Sequence, residues 1–218
     1  MSSNIQSPFL SVLICTYNNA DSLALTLQQL SSQDYSRELV VEFVTIDNNS
    51  SDHTAKTVAR YCDLDSRFSY FHEPKQGLSH ARNTGVEHAK GQYVLFTDDD
   101  AQLPANWIRE YVGVLTSHRP DCCFSAIDVI WQKPKPWWYC PGFRAQFVEL
   151  NYGEDIIALS DIHHEFFGKN FCLLRQEIIE QGGFDPKLGR LGGRLIAGEE
   201  TVIYRRLIHR KKKVLYFP

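Results

Sequence analysis

Short apolar runs alternate with stretches of helical period along the first half of the chain. Residues 9–16 form a nearly continuous apolar run, Phe9-Leu10-Ser11-Val12-Leu13-Ile14-Cys15-Thr16, which predicts a central strand. A polar turn, Tyr17-Asn18-Asn19, follows. Asp21 then caps a predicted helix whose Leu23, Leu27 and Leu30 share one face. A second strand is predicted over 39–46, ending in Asp47-Asn48-Asn49-Ser50-Ser51-Asp52, with Asp52 capping a helix that carries Val58 and Tyr61. A short strand over 68–71 comes next, then a loop and helix over 77–90 closed by Gly91. The run Tyr93-Val94-Leu95-Phe96-Thr97 is the most strand-like of all, and it passes straight into Asp98-Asp99-Asp100.

Strand and helix alternating through short connections predict a mainly parallel sheet wound on both faces, a Rossmann-like α/β domain. Parallel strands point the same way, so the polar turns after 16, 47 and 98 converge on one sheet edge, where open α/β folds bind ligands. Taken alone, the acidic triplet fits a solvated helix-capping turn as well as a cation site. Closely spaced carboxylates suit Mg²⁺ or Mn²⁺ shared with phosphates.

The second half is less regular. A helix is predicted over 104–118 with Trp107, Tyr111, Val114 and Leu115 buried, then strands over 122–127, 171–174 and 214–217. Residues 133–142, Lys-Pro-Lys-Pro-Trp-Trp-Tyr-Cys-Pro-Gly, read as a loop or flap. Gly182-Gly183-Phe184-Asp185-Pro186 reads as a turn, 189–193 as a mobile glycine-rich segment, and Gly198-Glu199-Glu200 as the start of a helix.

Composition narrows the function. A 43% hydrophobic share in 218 residues supports one substantial core, and a formal net charge of -3 argues against nucleic-acid partners. No apolar run is long enough to span a membrane, and residues 1–7 lack a signal-peptide pattern. The six cysteines (Cys15, Cys62, Cys122, Cys123, Cys140, Cys172) show no zinc spacing and read as reduced thiols of a cytoplasmic protein. The cations Arg205, Arg206 and Arg210 to Lys213 suggest peripheral contact with the inner face of a membrane, or simply a solvated helix end.

Five stretches carry a resemblance. They are Val12 to Asn18, Ile46 to Thr54, Gly77-Leu78-Ser79-His80-Ala81-Arg82-Asn83-Thr84-Gly85, Phe96 to Asp100, and Gly182 to Asp185 followed by Gly198 to Thr201. In that order they resemble a family 2 glycosyltransferase of the GT-A fold: a single catalytic domain over 1–218, with a nucleotide-sugar-binding half (1–103) and an acceptor-binding half (104–218).

The resemblance implies inverting, metal-dependent transfer of a hexosyl or N-acetylhexosaminyl group from a nucleoside-diphosphate donor, a UDP-sugar, to a hydroxyl of a glycan or lipid-linked acceptor. It implies that Thr16, Tyr17 and Asn18 line the base and ribose pocket, that Asp47 accepts from uracil N3–H, and that Arg82 lies beside base or phosphates. Asp98 and Asp100 match the Asp-X-Asp acids, Asp100 on the Mn²⁺ or Mg²⁺ and Asp98 nearer the ribose and metal. Asp99 can replace either, because three adjacent acids leave the register open. The general base maps onto Glu200, with Glu199 beside it; as plain helix residues both acids would be favoured by the macrodipole. Trp137, Trp138 and Asp185 are candidate acceptor contacts, although the two tryptophans fit core or interface roles equally well.

Family members usually continue past the last strand with a histidine that completes the metal site, so the expectation here is a minimal or truncated core. Two rival readings are a nucleotidyltransferase, which would need a glycine-rich loop where Thr16-Tyr17-Asn18-Asn19 stands, and a sugar-nucleotide-binding module without catalysis. An Asp-X-Asp phosphohydrolase fits poorly, since its acids follow the first strand.

Overall fold

The computed structural model describes residues 9–36, 38–189 and 198–218. Eight strands form one sheet in the order β3-β2-β1-β4-β7-β5-β8-β6. The strands are β1 (Leu10–Thr16), β2 (Val41–Asp47), β3 (Phe68–His72), β4 (Tyr93–Asp98), β5 (Cys122–Ser125), β6 (Ile157–Leu159), β7 (Asn170–Leu174) and β8 (Val214–Phe217). The helices are α1 (Ala20–Ser31), α2 (Thr54–Leu64), α3 (Leu78–His88), α4 (Trp107–His118), α5 (Arg175–Glu180) and α6 (Glu199–His209). Most of the glycine-rich stretch expected over 189–193, and residues 1–7, lie outside the described residues.

Alternation along β1 builds two cores at once. Leu10, Val12 and Ile14 pack with Leu23, Leu27 and Leu30 of α1 and with Trp107, Tyr111 and Leu115 of α4. Leu13, on the opposite face, joins Val86 of α3 and the α6 residues Ile203, Tyr204 and Leu207. A sheet covered on both faces buries apolar side chains at both phases of the strand, which is why β1, β2 and β4 read as continuous apolar runs.

The register puts Thr16 opposite Asp47, and Cys15 opposite Asp98, so the three polar turns do share one edge. The remaining strands are not all parallel. β7 runs antiparallel to both β4 and β5, so Asn170 pairs with Thr97 at that same edge. β5 and β8 are parallel, so Ser125 and Phe217 also end there, while Val214 begins at the far edge.

Several expected boundaries move. Residues 104–106 precede α4 in an irregular turn, and the strand expected over 122–127 stops at Ser125, with Ile127 forming only a bridge to Leu150. Gly91 does not close α3, whose cap is Ala89. Gly91 instead lies where a Cβ would stand 2.5 Å from the Ser11 amide nitrogen, so a bare backbone is needed there. Asp21 caps nothing. The Ala20 amide at the start of α1 donates to Asp52, whose other oxygen accepts from the Thr54 amide of α2. One carboxylate thus serves two helix starts, and those hydrogen bonds outweigh burial and hold it below its usual range.

Candidate active site

A cleft of about 750 Å³ opens at the sheet edge where the polar turns meet, large enough for a nucleotide-sized ligand. Its walls come from the β1–α1 turn (Thr16, Tyr17, Asn18, Asn19), the acidic triplet after β4, the start of α3 with Arg82, the approach to β7 (Phe167, Gly168, Lys169), and Glu199 and Glu200 opening α6.

The β1–α1 turn is locked by its neighbour. Asn18 takes a left-handed backbone (φ 49°), which asparagine tolerates. Its side-chain oxygen accepts the Ser51 amide at 2.7 Å, and its own amide donates to the Ser50 hydroxyl at 2.9 Å. Thr16 is buried, while Tyr17 is half exposed at the mouth.

The three acids have three environments. Asp98 closes β4 and stands 3.3 Å from the Lys169 ammonium. Asp99 turns inward, accepting from the Asn19 amide group at 2.8 Å, and its carbonyl accepts from the Thr26 hydroxyl. Burial pushes Asp99 up from its ordinary value, as do its two acidic neighbours, against the pull of the nearby Thr16 hydroxyl and the bond from Asn19. Asp100 is exposed. Among the described residues, no three His, Cys, Asp or Glu side chains gather into a closed metal cage. One exposed carboxylate beside a second that is only half buried is the donor set expected for an ion completed by diphosphate oxygens and water. The hard-oxygen chemistry of Asp98 and Asp100 therefore fits Mn²⁺ or Mg²⁺.

At the other wall Arg82 is buried among apolar rings. Its guanidinium donates to Glu199 at 2.6 Å and to the Gly168 carbonyl at 2.7 Å, stands 3.7 Å from Glu200, and lies over Phe171 and Phe184. A Cβ at Gly168 would meet the guanidinium at 2.4 Å and push it from its place. Glu199 therefore neutralises Arg82. Among the described residues, Glu200 has one buried oxygen without a hydrogen-bond partner, as does Glu199 on the oxygen that does not meet Arg82. Burial raises the Glu200 carboxyl above its ordinary value, opposed by Arg82 and reinforced by Glu199. Cys15 also reaches the cleft, but burial pushes its thiol up to about 12, which leaves it unreactive.

Four expected contacts fall elsewhere. Asp47 does not line the cleft: it is buried, one oxygen accepting from the Ser50 amide and the other from the Tyr70 hydroxyl. The cleft is lined at that point by Asn48, whose side chain is itself tied to Glu73, Lys75 and Gly77. Asp185 accepts the Lys187 amide in its own turn, and Trp137 and Trp138 sit on the surface outside the cleft lining. Arg82 reaches the cleft as expected, although its charge is directed at Glu199. Asn19, Gly168 and Lys169 are additions that the sequence pattern does not single out. The signal for the last two is the polar pair preceding an apolar run, which arrives at the ligand edge only when that run is antiparallel.

An open α/β sheet with acids at its ligand edge and a second acid pair across the cleft defines the GT-A class of nucleotide-sugar folds, and likeness to known proteins agrees. The structure superposes on a mannosyltransferase from Pyrobaculum calidifontis in complex with GDP-Man and Mn²⁺, with a TM-score of 0.70 at 20% identity, covering 98% of this chain and 55% of that one. It superposes on S. aureus TarS in complex with UDP with a TM-score of 0.74 at 16% identity, covering 95% and 57%. In sequence it is 24% identical over 213 residues to the glucosyl-dolichyl phosphate glucuronosyltransferase of Haloferax volcanii, covering 94% of this chain and 66% of that protein. The family model for glycosyl transferase family 2 matches residues 11–183. The chain belongs to that family. It spans a little over half of the two solved structures and just under two thirds of the archaeal relative.

Proposed function

We propose that the chain transfers a sugar from a nucleoside diphosphate to an acceptor hydroxyl by direct, inverting displacement, with Glu200 as general base. The observation that carries this reading is the Glu200 carboxylate, which faces the same cleft as the acidic triplet and has an oxygen that, among the described residues, accepts no hydrogen bond and has the Arg82 guanidinium 3.7 Å from it. The acceptor oxygen bonds to the anomeric carbon while the bond from that carbon to the diphosphate breaks. Glu200 takes the hydroxyl proton, and the nucleoside diphosphate leaves with the bonding pair. A carboxyl raised above its ordinary value by burial is better matched to an alcohol than an ordinary surface carboxylate. Glu199 holds Arg82 and is a positioning residue.

Asp98 and Asp100 would hold Mn²⁺ or Mg²⁺, which supplies charge neutralisation for the leaving diphosphate. Thr16, Tyr17 and Asn18 would take the nucleoside, with Asn19 fixing Asp99. Residues 1–103 act as the donor half and 104–218 as the acceptor half, with Lys169 crossing to the donor side. Asp47, on which the expected uracil preference rests, is buried outside the cleft lining, so the proposed donor is a nucleoside-diphosphate sugar with no base chosen. Glu200→Gln should leave nucleoside-diphosphate affinity within about twofold and lower transfer by about 10² or more. Normal transfer by that variant would remove Glu200 from the mechanism, and nucleotide binding without transfer in the unaltered chain would favour the binding-module reading.

A further inference from the structure

The loop between β5 and β6 leaves the sheet at the ligand edge and is pinned back by the Ile127–Leu150 bridge. Just before that bridge Val148 lines the cleft in a left-handed backbone (φ 59°), a costly conformation for a β-branched residue, which marks the loop as held in place. The hold is aromatic. Trp131 packs on Tyr139 at 5.1 Å and Phe147 at 5.2 Å, Trp138 packs on Phe147, the Lys135 ammonium lies 4.1 Å from the Tyr139 ring centre, and the Tyr139 hydroxyl donates to Glu149.

The outer side of this cluster is apolar and open to solvent. Trp137 is 95% exposed and has no ring partner among the described residues; Ile130 is 60%, Trp138 47% and Phe143 42% exposed. Within 130–144 the charged residues are Lys133, Lys135 and Arg144, all exposed, with no acid among them; Arg144 pairs with Glu149 at 3.4 Å, while the two lysines have no acidic partner among the described residues, in a chain whose net charge is -3. Pro134, Pro136 and Pro141 limit the freedom the loop would lose on docking.

We propose that residues 130–144 are a membrane-docking loop that seats the mouth of the cleft on an anionic bilayer, so that the acceptor hydroxyl is presented on a lipid carrier. The proposal rests on the transferase reading for its acceptor, but the docking itself does not. Tryptophans paired with cations are the side chains that settle at the interface between headgroups and acyl chains, and cations add attraction to anionic lipid. A glycan platform would need the rings to line the cleft, and they do not. The basic run at 210–213 serves this purpose poorly. It precedes β8 at the far edge of the sheet, where Arg210 and Lys212 pair with Glu177 and the Lys213 ammonium donates to the His118 carbonyl.

The test is sedimentation with phosphatidylcholine vesicles containing or lacking phosphatidylglycerol, with tryptophan emission followed in parallel. The unaltered chain should bind the anionic vesicles with a blue shift, Trp137→Ala/Trp138→Ala should lose about tenfold or more of that affinity, and Lys133→Glu/Lys135→Glu should lose the preference for anionic lipid. Nucleoside-diphosphate binding by calorimetry should be the same in all three, which separates a loss of docking from a loss of donor binding. No vesicle binding by the unaltered chain would overturn the proposal, as would equal binding by the tryptophan variant. So would an emission shift caused by a soluble oligosaccharide alone, or a dimer that the tryptophan variant abolishes.

Discussion

Arg82→Met isolates the buried ion pair beside Glu200, the proposed base. The Arg82 and Glu199 side chains are 4% and 3% exposed, and their contact is 2.6 Å. Methionine keeps apolar packing against Phe171 and Phe184 but leaves the Glu199 charge buried without a counterion. Removing one partner of such a pair costs about 3–5 kcal/mol. For a chain of this length each kcal/mol moves the melting temperature by about 2–4 °C, so a fall of about 6–20 °C is expected. Glu199→Gln in the same chain removes the stranded charge and should recover most of the loss. Urea unfolding of the four corners of that cycle gives the coupling directly, expected at about 2 kcal/mol or more. The reasoning fails if Arg82→Met costs less than about 1 kcal/mol, or if the double variant is as unstable as the sum of the singles. A kinetic readout runs alongside: Arg82 lowers the Glu200 carboxyl, so its loss should move the acid limb of transfer to higher pH.

Asp100→Ala should abolish the strengthening of nucleoside-diphosphate binding by Mn²⁺, and calorimetry with and without the ion shows whether it does. Because the Glu200 carboxyl is raised in the folded state, the stability it allows is full below its ordinary value of 4.5 and is lost as pH rises through the raised value; Glu200→Gln should lack that decline, and urea midpoints across the window decide it. Gly91→Ala should cost about 1–3 kcal/mol, because a Cβ would strike the Ser11 backbone, which cannot swing aside. Gly113→Ala, in α4 with nothing within 4 Å, should stabilise by about 0.5–1 kcal/mol, and thermal melts of the two variants compare them directly.

The first half of the chain is legible in sequence because its strands are buried on both faces and parallel, so apolar runs and their polar ends carry both element type and direction. Thr16, Asp47 and Asp98 fall on one edge from that alone. What sequence does not supply is which way a short strand runs. Phe171-Cys172-Leu173-Leu174 reads the same in either sense. Only the antiparallel pairing to β4 and β5 brings its leading residues Gly168 and Lys169 to the cleft. Asp47 fails for a related reason: the position is at the right edge, but Tyr70 on the neighbouring strand takes its carboxylate, a contact across 23 residues that no local pattern announces. β6 is invisible to the pattern because three residues carry no period.

The acidic triplet shows how tertiary partners assign roles that spacing leaves open. All three residues are aspartate, so sequence order alone makes Asp99 interchangeable with its neighbours. Asp98 is the last strand residue, paired opposite Cys15, and its carboxylate reaches Lys169 across the β4–β7 seam. Asp99 follows where the backbone turns. Its carbonyl is held by Thr26 of α1 and its carboxylate by Asn19, so both its polar ends are committed to the first helix and its entry. The fixed turn leaves Asp100 on the solvent side. A carboxylate that is partly buried and oriented by Asn19 is less open to a hydrated cation, whereas an exposed one has only water to lose. That difference favours Asp100 over Asp99 as the metal ligand. It also predicts distinct failures: Asp99→Ala should loosen the β1–α1 turn and weaken nucleotide binding with or without the ion, while Asp100→Ala should weaken it only when the ion is present. Calorimetric titration of a nucleoside diphosphate into each variant, in Mn²⁺ and in chelator, separates the two, and identical losses in chelator would show that the assignment of the acids is wrong.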